Sequence, residues 1–253
     1  MHPLVKAAAV RAVPALMRDA ASVPGNWETA NYLLIRLGDV LAPFSPATTK
    51  PEPNPLVRQA ALETLLSLRA ENTEANISQA MLRAVDDPVL GGQAIDGIRR
   101  IAYRDSFFMD LMSKKLDEVL ARTPSPKNDW LKLELTKVYD LRGYHNFRFG
   151  QRGPMLTALF DKDPQIRTIA EQKLLAAEHI WDDKDLTALK ETILRSANAP
   201  TETKVVLAKL VAAGARSFEP VNGREQSPFP EIAALLGKVS KSREVAAELA
   251  EVR

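Results

Sequence analysis

The sequence predicts an all-α chain built as a stack of short helix pairs, and three observations predict it. Although 45% of the 253 residues are hydrophobic, only 6% are aromatic and only 11 residues are glycine. Alanine, leucine, glutamate, lysine and arginine dominate instead, which is the vocabulary of helices. Runs that alternate valine, isoleucine and threonine, the mark of strands, are missing. A proline-led pattern also returns at Pro3, Pro55, Pro88, Pro126, Pro164 and Pro200, in later steps of 33 to 38 residues, the length of a two-helix unit.

The clearest copy is Asn54 to Leu68, NPLVRQAALETLLSL. Pro55 stands at the first helical position, where its missing N–H costs least, and Asn54 is placed to cap the free amides. Val57, Ala61, Leu62, Leu65 and Leu66 fall on one side of a 3.6-residue helix, whereas Arg58, Gln59, Glu63 and Thr64 fall largely on the other. The opening segment, His2 to Ala8, reproduces Asn54 to Ala60 almost residue for residue and reads as a structural helix rather than a targeting peptide, because Arg11 interrupts any secretory apolar region.

Counting from each proline fixes the register. The second position holds Val5, Val57, Leu90 and Ile166; the sixth holds Ala9, Ala61, Ala94 and Ala170; the tenth holds Val13, Leu65, Ile98, Leu174 and Leu210. Small residues at the sixth position let neighbouring helices approach, and the branched ones fill the seam. The copies at Pro126 and Pro200 depart from this, with Lys132 and Val206 at the alanine position. Partner helices are expected over Trp27–Ala42, Glu74–Val85, Phe107–Ala121, Met155–Phe160 and Leu186–Ser196. DDP at Asp86 to Pro88 and DKDP at Asp161 to Pro164 read as turns whose aspartates cap the next helix. Gly91-Gly92 is expected just inside a helix, at about 1 kcal/mol per glycine, for close helix contact. Residues 215–230 read as a linker or loop, and 231–253 as two short helices capping the last exposed face.

The pieces DKDPQIRTIAEQKLL, NPLVRQAALETLL and HPLVKAAAVRAV resemble the second helix of HEAT repeats, including the bacterial subtype named after phycobilisome lyases. The resemblance covers residues 2 to 214 and implies a right-handed α-solenoid of five to six helix pairs. It also implies a ladder between repeats, in which the basic residue of the motif, here Arg58, Arg167 and more loosely Lys6, pairs with an aspartate of the inter-helix turn such as Asp161. At Pro88 the pattern departs, with Gly91 in the basic position. Proteins of this architecture serve as scaffolds, adaptors, transport receptors and, in a few cases, enzymes, so the fold alone does not assign an activity.

Charge and motif content narrow the classes further. Lysine and arginine number 34 against 32 acidic residues, a formal charge of +2 spread along the chain, which argues against a protein devoted to gripping phosphate backbones. Cysteine is absent, which excludes disulfides, thiolate metal sites and cysteine nucleophiles within this chain. No apolar run approaches the roughly 18 to 20 residues that cross a bilayer. His2, His145 and His179 are far apart and outside any HExxH pattern, and no Walker loop, GxGxxG or GxSxG occurs. His179 with Glu178, Asp182 and Asp183 reads as a helix end with Trp181 packed inward, a metal site being the alternative. No cofactor, metal or catalytic residue is expected.

Three places break the repeat. Pro43 to Pro55 holds five prolines and reads as an extended surface connection, with a docking segment as the alternative. Arg142 to Gly153, RGYHNFRFGQRG, brings together Tyr144, His145, Phe147, Arg148, Phe149 and Arg152 with no acidic residue among them. Interleaved aromatics and arginines anchor protein interfaces or stack on bases; alternatively, Phe147 and Phe149 plug the groove between repeats. The first helix has no partner helix before it, so the chain is expected to be part of a longer polypeptide or to dock on another subunit. The expected function is a non-catalytic interaction module for a protein partner or complex. A nucleic-acid binder similar to the HEAT-like alkylpurine DNA glycosylases and a pigment-lyase subunit are the alternatives.

Overall fold

The computed structural model describes residues 2–21, 27–42, 52–68, 74–100, 106–139, 151–177, 181–218 and 226–252. Among them are thirteen α-helices, one 3-10 turn and no strand, so the chain is all-α. It divides into two compact units, Met1–Leu111 and Met112–Arg253, a division that falls inside the expected span 1–214.

The first unit holds α1 (Pro3–Ala21), α2 (Trp27–Leu41), α3 (Pro55–Ser67), α4 (Glu74–Ala84), α5 (Gly91–Arg100) and the start of α6 (Ser106–Leu120). Here α1 packs on α2 and α3, α2 on α3 and α4, and α4 on α5. Arg83 of α4 donates from Nε to the Ala42 carbonyl at 2.9 Å, so a side chain of one helix closes the end of its neighbour. The second unit holds the rest of α6, α7 (Pro126–Val138), α8 (Gly153–Ala158), α9 (Pro164–Ala176), α10 (Asp183–Arg195), α11 (Thr201–Arg216), α12 (Phe229–Val239) and α13 (Arg243–Leu249). There α9 packs on α7, α8 and α11, α10 on α8 and α12, and α11 on α12 and α13. Each expected partner helix lies within a few residues of its predicted span.

The proline register is written in hydrogen bonds. His2 Nδ1 accepts from the Leu4 amide at 3.3 Å, Asn54 Oδ1 from Leu56 at 3.0 Å, Asp87 Oδ1 from Val89 at 2.8 Å and Asp163 Oδ1 from Gln165 at 2.8 Å. In all four copies the residue before the proline thus satisfies the amide after it, which in α1, α3 and α9 is one of the orphan donors of the helix start. Ser125 caps α7 one residue further along, accepting from Asn128.

The basic residue of the motif closes the same turn from the other side. Arg58 Nη1 donates to the carbonyls of Glu52 and Pro53, and Arg167 Nη1 donates to those of Asp161 and Lys162, in both copies six and five residues back. Ion pairs then join successive copies: Lys6 to Glu52 at 3.0 Å and Arg58 to Asp87 at 2.6 Å. Arg58 thus takes an aspartate of an inter-helix turn, but that aspartate is Asp87 rather than Asp161. Asp161 faces neither arginine with its carboxylate; it accepts from the Asp163 amide at 2.9 Å and lies 3.9 Å from Lys132 Nζ. Lys132, the residue that broke the alanine position, is buried and takes the place of the missing basic residue, since Asp129 stands three positions after Pro126.

Burial follows the register with informative exceptions. Val57, Leu90 and Ile166 at the second position, Ala61, Ala94 and Ala170 at the sixth, and Leu65, Ile98, Leu174 and Leu210 at the tenth are all buried. In α1 the equivalent Val5 is 55% exposed and Ala9 is exposed as well, because α2 and α3 cover only the opposite side of that helix. Thr64, expected on the polar side, is buried, α3 being packed against α1, α2 and α4. Helix α5 starts at Gly91 rather than at Pro88; a Cβ there would stand 2.4 Å from the Val85 carbonyl oxygen, so this glycine answers to its own preceding turn rather than to a neighbouring helix.

Candidate functional site

The stretch singled out by its aromatic and basic residues joins α7 to α8. Tyr144, His145, Phe147, Arg148 and Phe149, together with Arg142, lie outside the described residues, as do Pro43 to Pro51 and His179. The two points between which residues 140–150 run are described in detail.

On the α7 side, Tyr139 follows the helix and is fully buried. Its phenolic O–H donates to the Gln151 carbonyl at 2.7 Å, tying the residue before the stretch to the residue after it. A buried tyrosine hydroxyl needs such a partner. Lys173 of α9 donates from Nζ to the Lys137 carbonyl at 2.8 Å and also to that of Tyr139, capping the end of α7 with a positive charge where the helix dipole is negative.

On the α8 side stands Arg152. Sequence reasoning groups it with the surface arginines, but it is only 3% exposed and Asp185 of α10 is 1% exposed. Asp185 accepts from the Arg152 backbone amide at 2.8 Å with Oδ1 and from Nη1 at 2.6 Å with Oδ2. The guanidinium carbon lies 4.4 Å from the centre of the Trp181 ring. A charge so placed is held by its counter-ion and by the ring quadrupole in place of water. The withdrawal of Arg152 leaves Arg142 and Arg148 as the basic residues of the motif that a partner surface would have to use.

The clasp continues inward. Asp182 caps α10 by accepting from the Asp185 amide at 2.8 Å, as expected of the aspartates after His179. Trp181 meets Phe229 edge to face, with ring centres 5.8 Å apart and planes at 78°. Gly214 of α11 admits the Phe229 ring, since a Cβ on it would stand 2.3 Å from two ring carbons. Burial pushes the Asp185 carboxyl above the ordinary carboxylate range and the neighbouring Asp182 adds to the rise, while Arg152 pulls the other way. One ion pair and one aromatic pair therefore bind the starts of α8, α10 and α12 to the end of α11.

Sequence inspection missed Asp185, Lys173 and Tyr139. Each is a lone residue whose partner is 12 or more positions away, so no local pattern marks it. No group of three or more histidines and carboxylates placed to hold a metal occurs among the described residues, and no helix among them is long and apolar enough to cross a membrane. Comparison with protein-family models, with curated proteins and with solved structures returns no match.

Proposed function

We propose that the chain is a non-catalytic interaction module that presents residues 142–149 to a protein partner. The observation that carries this reading is the fixed base of the stretch: Tyr139 bonded to Gln151, Lys173 on the end of α7, and Arg152 locked on Asp185. Binding residues carried between two fixed points are ordered at lower entropic cost than residues on a free tail. Tyr144, Phe147, Phe149 and Arg148 are the residue types that dominate interface energetics. The recurring cap and arginine at Pro55 and Pro164 support a HEAT-like reading of the helix pairs, and a solenoid of such pairs is the architecture we assign to this role. Burial of Arg152 takes one cation away from the nucleic-acid alternative.

The test is affinity co-purification from the native source with the wild-type chain and with Phe147→Ala/Phe149→Ala. Loss of a partner that the wild-type chain retains, with the helical circular dichroism unchanged, supports the reading. Equal recovery by both removes the stretch from it, and salt-dependent binding of duplex DNA that is lost on Arg142→Ala/Arg148→Ala replaces it with the nucleic-acid reading.

A further inference from the structure

We draw no further inference here: the strongest candidate, the row of exposed apolar side chains Leu4, Leu56 and Val89 that follow Pro3, Pro55 and Pro88 in the first unit, is a surface patch with nothing in the structure to show what covers it.

Discussion

Arg58 and Asp87 form a 2.6 Å ion pair between α3 and the turn before α5, and the same guanidinium holds the carbonyls of Glu52 and Pro53. One side chain therefore ties its own helix start to the next proline-led turn. Arg167, its counterpart in α9, holds the two equivalent carbonyls. The pair separates two roles that the motif combines, a local turn closure and a link between copies.

Substitution of the two arginines measures those roles separately. Arg58→Ala leaves a mostly buried carboxylate and two carbonyls without their donor and is expected to cost about 3 kcal/mol. Arg167→Ala is expected to cost about 1 kcal/mol, the scale of hydrogen bonds to part-buried carbonyls. Urea denaturation followed by circular dichroism compares them, and equal losses would show that the ion pair adds nothing. Arg58→Lys is not expected to restore the stability, since an ammonium cannot reproduce the planar fork.

Acid weakens the first unit through the same contacts. Burial alone would raise the Asp87 carboxyl, but the Arg58 side chain and the Val89 and Leu90 amides outweigh it and hold it below the ordinary carboxylate range. Glu52 follows the same logic, with Lys6 and the Asn54 amide outweighing burial. A depressed folded-state value means stabilisation that is complete above the unfolded value, roughly pH 4, and is lost as the pH falls through the folded one. Denaturation midpoints measured from pH 7 to pH 2 should drop on the acid side, and Asp87→Asn should flatten part of that drop while lowering the neutral plateau.

The buried clasp gives an opposing pattern of single and double substitutions. Arg152→Ala or Asp185→Ala leaves one charge stranded among apolar groups and is expected to cost about 3–5 kcal/mol. Arg152→Met/Asp185→Leu removes both charges and is expected to recover most of the loss. A double variant as unstable as the singles would show that the backbone bond from Arg152 to Asp185, rather than the charge, holds α8 to α10.

Two helical glycines make a matched pair. Gly214→Ala places a methyl 2.3 Å from ring carbons of Phe229 and is expected to cost about 1–3 kcal/mol. Gly237 of α12 has nothing within 4 Å of the same position, so Gly237→Ala is expected to stabilise by about 0.5–1 kcal/mol. Thermal denaturation of both variants beside the parent settles the contrast.

What the sequence made legible was local. A cap, the proline beside it and an arginine three residues after the proline lie within one turn of each other, so the Asn54-Pro55 and Asp163-Pro164 starts and their arginines are visible in one short window. Lys132 was visible only as an anomaly, because its role depends on Asp161 in the next copy. Arg152 was misplaced on the surface because its neighbours in sequence are polar and glycine-rich, whereas its environment is set by Asp185, 33 positions on. The open side of α1 was legible, since no partner helix precedes it in the sequence, but periodicity identifies an apolar side without saying what lies against it.

The repeated helix start, with cap, proline and carbonyl-binding arginine all inside one seven-residue window, has a consequence for how such a chain changes length. Each start is punctuated from within, so the nucleation cost of its first turn is lowered before any distant contact forms. A duplication or loss of one helix pair between two starts leaves the geometry of both unaltered. Side chains that reach a turn of the adjoining copy, such as Lys6, Arg58 and Lys132, must find a new acid, and a carboxylate in a turn ahead of a proline is what each neighbouring copy joined in this way already offers.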